Sequence, residues 1–301
     1  MITVSTGGIV AITTEDIKLL RESTGAGILD CKKALQETDG NIDQAIEFLR
    51  KKGLAAASKK ASREANDGLV SAHISADGLL GVLVEVNCET DFVARTEDFQ
   101  AFVAALVQQV ANQAEAANVD TLLASPFIGD SSKTVAEKLT ETIAKLGENM
   151  IIRRVARFEL PAEGGMLDSY IHTGGRVGVL VDVAGGNAND SKFATLVHDV
   201  ALQIAAASPR YVSPADVPAD AIEAEKAIYR AQLAEDKKPD NIKERIIEGK
   251  LKKWYEEVAL VEQPFVKDND LTIAKLLEKV GKELGSEIKV RRFARFELGA
   301  S

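Results

Sequence analysis

An internal repeat constrains the fold of this 301-residue chain more than any other feature of its sequence. Three pairs of segments align without gaps: residues 68–87 on 165–184, residues 99–111 on 193–205, and residues 126–160 on 264–298. The first pair alternates like a β-hairpin with a glycine turn, and the second pair has the apolar spacing of an amphipathic helix. Each half therefore reads strand, strand, helix, helix, strand. We expect an α+β fold, in which a small three-stranded antiparallel sheet covered by helices is used twice.

The two halves differ at one short loop. The first half has three extra residues between its hairpin and its first helix, and they fall within residues 87–93. Thr90 is a suitable helix N-cap there, and Asp91 suits the positive end of a helix. Phe92 would then lie on a helix tip, either packed into the chain's own core or offered to a partner. Because Gly185-Gly186-Asn187-Ala188 replaces this segment in the other half, we favour the partner-facing interpretation.

A long insertion in the second half is the other difference. Residues 215–262 read as two charged helices around Asp236-Lys237-Lys238-Pro239-Asp240, which predicts an antiparallel helical hairpin. Its apolar positions would face each other across the seam: Ile222, Ile228 and Leu233 against Ile242, Ile246, Trp254 and Val258. The short stripe leaves open whether the hairpin closes on itself or pairs two copies into a homodimer.

The N-terminal part reads as a separate helical module. Residues 1–13 form an extension, residues 14–54 three short helices, and residues 55–67 a basic helical linker. Gly25-Ala26-Gly27 lacks the spacing of a phosphate-binding loop and follows no strand, so we interpret it as a helix stop.

Composition excludes several classes of function. A net charge of -9 and a pI near 5.1 argue against a direct nucleic-acid binder, so we interpret the arginine-rich segments at Arg153 and Arg291 as structural ion-pairing positions. Cys31 and Cys88 have neither disulfide-framework nor zinc-site spacing. No run is long and apolar enough to span a membrane. We expect a cytoplasmic protein without metal or cofactor. His73 and His198 lack a nucleophilic partner and are interpreted as packing residues.

Several long motifs occur in an order that resembles the elongation factor Ts family: TGAGILDCKKAL at residues 24–35, EVNCETDFVA at 85–94, RVGVLV at 176–181, QPFV at 263–266 and RFE at 295–297. The resemblance implies a ubiquitin-associated-like partner-binding domain at 14–54, core subdomains at 68–160 and at 161–214 with 263–301, and a coiled-coil hairpin at 215–262. Many members carry a further C-terminal helix, whereas this sequence stops at Ser301, so no contact of such a helix is carried over.

The same resemblance implies a function and a set of residues. Such proteins are guanine nucleotide exchange factors of elongation factor Tu, a GTPase, and act by protein contact rather than as enzymes. The positions implied to dislocate the Mg²⁺ of that partner are Thr90, Asp91, Phe92 and Val93. Those implied to bind it elsewhere are Arg21, Lys32, His172, Phe265 and Val266. Two other hypotheses remain: a scaffold that binds a GTPase without exchange, and an enzyme with its own small-molecule site.

Overall fold

The computed structural model describes residues 12–236 and 238–300, so the expected extension at residues 1–13 lies almost entirely outside the described residues. The N-terminal domain consists of α1 (Thr14–Thr24), α2 (Ile28–Glu37) and α3 (Ile42–Lys60). Thr13 caps α1 in a capping box with Asp16, and Gly25 ends that helix in the left-handed conformation that glycine adopts without strain. A small apolar core holds the three helices together: Leu20, Cys31, Ala34, Leu35 and Ala45.

The first subdomain contains β1 (Asp67–Ile74), β2 (Leu80–Cys88), α4 (Asp91–Ala94), α5 (Glu97–Asn112), α6 (Val119–Ala124), β3 (Pro126–Phe127), β4 (Asp130–Thr134), α7 (Val135–Leu146) and β5 (Met150–Glu159). Its main sheet has the order β1-β2-β5, and β2 pairs antiparallel with both neighbours. The central strand is buried from Gly81 to Cys88, because helices cover one face and the other subdomain covers the opposite face.

The second subdomain repeats that plan around the inserted helices. Its elements are β6 (Met166–Ile171), β7 (Val177–Ala184), α8 (Ser191–Ala207), α9 (Ala219–Gln232), α10 (Asp240–Val258), β8 (Pro264–Phe265), β9 (Asp268–Thr272), α11 (Ile273–Leu284) and β10 (Lys289–Glu297). The sheet order is β10-β7-β6, again antiparallel throughout. The prediction of two three-stranded antiparallel sheets is therefore confirmed.

Two small hairpins were not predicted. In each half a short strand pair, β3 with β4 and β8 with β9, precedes the second helix. A buried glutamine completes each pair: Gln109 accepts a hydrogen bond from the Ile128 N–H at 3.0 Å, and Gln203 accepts one from the Val266 N–H at 2.8 Å. β3 and β8 have only two residues each, and the five-residue β4 and β9 are mostly polar, so neither gives the apolar alternation that predicts a strand.

Helix α3 continues past residue 54 into the segment predicted to be a basic helical linker. It runs unbroken to Lys60 and packs along α7 of the first subdomain. Gly53 lies inside α3, and a Cβ built there would be 3.5 Å from the Cβ of Ala144. Arg50 also forms an ion pair with Glu137. A packed helix pair therefore holds the N-terminal domain against the body.

The inserted hairpin forms as predicted, but its seam differs at two positions. Trp254 and Val258 of α10 are buried at its base with Val217, and Ile247, which was not predicted to face the seam, is buried farther out. Ile228, which was predicted to face α10, is 51% exposed, so that part of the prediction is wrong. The helix pair buries a narrower stripe than the spacing of its apolar residues suggests.

The two subdomains pack against each other in a reciprocal way. The Arg154 guanidinium lies 4.8 Å from the centre of the Phe296 ring, and Arg292 lies 4.4 Å from the centre of the Phe158 ring. Each arginine also donates to the backbone carbonyl one residue beyond that ring, at 3.0 and 2.8 Å. Since these residues are equivalent in the repeat, the two halves are related by an approximate twofold axis.

Buried acids balance the charge of these arginines. Glu85 on β2 accepts from Arg154 at 2.7 Å, and its equivalent Asp182 on β7 accepts from Arg291 at 2.8 Å and from Arg292 at 3.1 Å. Both carboxylates are fully buried. The interpretation as structural ion-pairing positions is confirmed for Arg154, Arg291 and Arg292. Arg153 instead donates to the Asn87 side-chain oxygen at 3.3 Å.

Candidate functional site

The loop unique to the first half forms a short helix tip. The Thr90 hydroxyl accepts the Val93 N–H at 3.4 Å and so caps α4, as its residue type predicted. Val93 packs against the first core and Ala94 is buried, which fixes one side of the tip. Phe92 is 79% exposed on the opposite side. Of the two alternatives for this ring, the structure therefore has the one in which it is offered to solvent.

Asp91 lies beside that ring in the first turn of α4. Its carboxylate accepts from the Arg95 guanidinium at 2.7 Å, one helical turn away, and both side chains are substantially exposed. An exposed pair of this kind contributes little to stability and opens at low cost. The tip thus presents an exposed aromatic ring next to a carboxylate that can exchange partners.

Cys88 lies beneath the tip and is fully buried. Its thiol donates to the Thr90 carbonyl at 3.1 Å. Burial, with a smaller effect from the nearby Glu148 carboxylate, raises the pKa of the Cys88 thiol to about 12. The thiol is therefore protonated at neutral pH and is a packing group rather than a nucleophile.

Glu148 is a residue of this site that the sequence analysis missed. One carboxylate oxygen accepts the N–H groups of Glu89 at 3.1 Å and Thr90 at 3.0 Å, and the other accepts the Thr90 hydroxyl at 2.6 Å. Because Glu148 is 58 residues from Thr90, only the fold brings them together. The sequence signal was slight: an acid stands directly after the glycine that ends α7, where the other half has a serine.

The N-terminal domain carries a second group of predicted residues. Arg21 on α1 and Lys32 on α2 are both exposed. Near them the sequence analysis missed Ile28 and Leu29, which are 56% and 82% exposed at the start of α2. Two consecutive apolar residues after a glycine turn were the available signal. Apolar side chains next to basic ones are a typical composition for a protein-binding surface.

The remaining predicted residues lie in the second subdomain. His172, directly after β6, is exposed and bonds through its Nδ1 to the Tyr170 hydroxyl at 3.1 Å. His198 of α8 pairs with Asp168 at 2.9 Å on the same side of the sheet, and its ring contacts the Tyr170 ring edge-on. These contacts fit a surface packing role for His198.

Phe265 and Val266 differ sharply in exposure. Phe265 is only 5% exposed and packs in the second core, because the β8–β9 hairpin folds its ring inward. Its ring therefore lies in the core rather than on the surface, and its role as a partner-binding residue stays a prediction. Val266, at the turn of the same hairpin, is 45% exposed.

Two other kinds of site are absent from the described residues. Across residues 12–236 and 238–300, no three or more His, Cys, Asp or Glu side chains form a group that could hold a metal ion. None of the helices in that same part of the chain is long and apolar enough to cross a membrane.

Comparison with known proteins places the chain in a family. The family described as elongation factor TS matches residues 89–300. Elongation factor Ts of Trichlorobacter lovleyi is 51% identical over 293 residues, which cover 96% of this chain and 93% of that protein. The protein of that name from Clostridium perfringens is 50% identical over 288 residues, with coverage of 96% and 93%. For Nostoc sp. the identity is 44% over 293 residues, with coverage of 96% and 92%.

The duplicated α+β body, its N-terminal three-helix domain and these similarities define a translation elongation factor. The chain belongs to the elongation factor Ts family.

Proposed function

We propose that this chain is a guanine nucleotide exchange factor that binds elongation factor Tu with GDP, displaces its Mg²⁺ and promotes release of GDP so that GTP can bind. The observation that carries the proposal is the exposed Phe92 ring on a helix tip present in only one of two repeated halves. The other half folds without such a tip, so the shared sheet-and-helix plan does not require one, and this supports a role for the tip toward a partner.

The proposed mechanism uses the chemistry of a magnesium-bound nucleotide. Mg²⁺ requires nearly ideal octahedral geometry, so a small shift of the loops that support it weakens its binding sharply. Phe92 would insert between elements of the GTPase, and Asp91 would exchange Arg95 for groups near the metal and phosphates. Loss of the metal leaves the phosphate charges less neutralised and speeds the departure of GDP. Thr90 and Val93 hold the tip in shape during this insertion.

The proposed exchange is reversible and requires no covalent step. A factor that weakens nucleotide binding is itself bound less tightly once nucleotide rebinds, because the coupling between the two sites is reciprocal. GTP, on binding the emptied GTPase, would therefore release the exchange factor for another cycle.

Two further surfaces are proposed to hold the partner while the tip acts. Arg21 and Lys32, with the exposed Ile28 and Leu29, would form one contact on the N-terminal domain. His172 and Val266 would contribute to another on the second subdomain, and Phe265 would support Val266 from the core.

Substitution of Phe92 tests the proposal. Phe92→Ala should slow release of a fluorescent GDP analogue from elongation factor Tu by at least about tenfold in stopped-flow measurements, since an anchoring aromatic side chain is worth ~2 kcal/mol or more. Thermal stability should stay unchanged because the ring is exposed. Leu79→Ala, which removes another exposed apolar side chain from the same subdomain, is the matched control and should release GDP at the wild-type rate.

The same measurement separates exchange from scaffolding. A protein that only binds the GTPase would form a stable complex in which the release rate of GDP equals that of the GTPase alone. Wild-type release rates for Phe92→Ala would contradict the role assigned to the tip.

A further inference from the structure

The four residues of α4, Asp91–Ala94, form a single helical turn. A helix of one turn is not stable by itself, because the conformational entropy lost in forming the first turn exceeds the free energy that its single hydrogen bond contributes. Its position must be set by contacts at its ends. At the C-terminal end Ala94 is buried, and at the N-terminal end the backbone is bonded to Glu148.

We infer that Glu148 is a positioning residue for the exchange tip, an inference that rests on the proposed function. Its carboxylate accepts three hydrogen bonds from the two residues that precede α4: both backbone N–H groups and the Thr90 hydroxyl. Hydrogen bonds to a carboxylate are stronger than those between neutral groups. Three such bonds fix the orientation of the segment before α4 as well as its distance from Glu148. The same hydroxyl caps α4 through the Val93 N–H.

A second acid, Glu89 in the segment before α4, accepts a hydrogen bond from the segment after α7. Glu89 accepts the N–H of Asn149 at 2.6 Å and a weaker bond from Arg63 at 3.4 Å. The side-chain amide of Asn149 donates to the Arg63 backbone carbonyl at 2.8 Å. The segment before α4 and the segment after α7 thus each hold a backbone group of the other.

The position of Glu148 is itself set by a well-packed helix. Gly147 ends α7 in the left-handed conformation, and its N–H donates to the Ile143 carbonyl at 3.0 Å. Ile143 is buried in the first core. Because α7 fixes the position of Glu148, and Glu148 bonds to the backbone before α4, the position of the tip depends on that of α7.

The other half of the repeat supplies an internal comparison. Ser286 occupies the position equivalent to Glu148, and its hydroxyl accepts one bond, from the Gly186 N–H at 3.3 Å. That half has Gly185 and Gly186 at the positions of Cys88 and Glu89, and its loop lacks the tip. The half that has the tip carries a carboxylate at this position, whereas the half that has only a turn carries a hydroxyl.

Loss of the carboxylate should loosen the tip without removing it. When Phe92 meets resistance in the GTPase, a loosened tip would bend back instead of displacing the loops around the metal. The rate of GDP release at saturating exchange factor should therefore fall, while the concentration needed for half-maximal release, set largely by the other contact surfaces, should change little.

The experiment compares Glu148→Ala, Glu148→Gln and Ser286→Ala in the full-length protein. For Glu148→Ala we expect the maximal GDP release rate to fall at least about tenfold, with half-saturation within about twofold of wild type. Glutamine keeps an oxygen for the two N–H groups, and its amide can donate to the Thr90 hydroxyl, so Glu148→Gln should recover most of the rate. Ser286→Ala should match wild type.

Hydrogen exchange of the free protein gives an independent measurement. The Glu89 and Thr90 amides should exchange faster in Glu148→Ala, while the core amides of β2 and the thermal midpoint remain unchanged. Unchanged exchange at those two amides would overturn the inference, as would a general loss of protection throughout the subdomain.

The two hypotheses fail in different ways. If Phe92→Ala slows release and Glu148→Ala does not, the positioning role is wrong and the proposed function stands. If Phe92→Ala itself has no effect, the proposed function is wrong, and the exchange rates of the Glu89 and Thr90 amides alone decide whether Glu148 positions the tip.

Discussion

Phe92 and Phe265 show what residue type can and cannot indicate. Both belong to motifs of the same family, yet the first is exposed and the second is buried. The exposure of Phe92 could be predicted because the second half supplies a version of the fold that lacks the residue. The burial of Phe265 was open to the same comparison, because Phe127 stands at the equivalent position of the first half and is also buried.

Gln109 provides a test of stability at this scale. It is fully buried, accepts from Ile128 and donates to the Pro126 carbonyl at 2.8 Å. Gln109→Leu should lower the free energy of unfolding by about 1 to 3 kcal/mol, because polar groups of the β3–β4 hairpin lose their partner. Denaturant titration measures this. The control is Gln100→Leu, an exposed position of the same helix, which should change stability by less than about 0.5 kcal/mol; equal effects would contradict the prediction.

Among the elements, α3 owes most to tertiary packing. Glycine has a low helix propensity, but packing against α7 keeps the helix continuous through Gly53. By contrast, Thr90 caps its helix as expected, because capping depends on local chemistry. Local signals were reliable wherever tertiary contacts did not compete with them.

Substitution of Gly53 tests this packing. Gly53→Ala should raise stability by about 0.5 to 1 kcal/mol, since alanine favours the helix and its Cβ would make an ordinary contact with Ala144. Gly53→Leu should instead fall below wild type, because the larger side chain must push α3 away from α7. Thermal unfolding measures both changes.

Gly249 in α10 is the matched control for that experiment. It also lies inside a helix, but a Cβ there would meet nothing within 4 Å. Both Gly249→Ala and Gly249→Leu should therefore stabilise the protein. A stabilising Gly53→Leu would show that α3 and α7 are not closely packed.

The molecule as a whole is organised by its repeat. Sequence comparison predicted two similar sheets, but the way they meet could not be read from it. The junction depends on side chains that cross between subdomains, and each crossing arginine has its equivalent in the other half. Such reciprocity arises only when two copies face each other about an axis.

The junction predicts unequal effects from two equivalent substitutions. Arg154→Ala should lower stability by about 3 to 5 kcal/mol, because it leaves the buried Glu85 carboxylate without its ion pair. Arg292→Ala should cost clearly less, since Asp182 keeps Arg291 at 2.8 Å. Denaturant titration compares the two variants. Adding Glu85→Gln to Arg154→Ala should recover part of the loss, and equal losses for the two arginines would contradict this account of the junction.

Because α3 is continuous, it fixes the distance between the N-terminal domain and the tip around Phe92. Its 19 residues correspond to a rod of about 28 Å, at about 1.5 Å per residue. Each residue added or removed would shift the N-terminal domain along that rod and turn it by about 100°. The protein should therefore tolerate changes of side chain on the solvent face of α3 far better than changes in its length, because only the length determines where the N-terminal domain lies relative to the tip around Phe92.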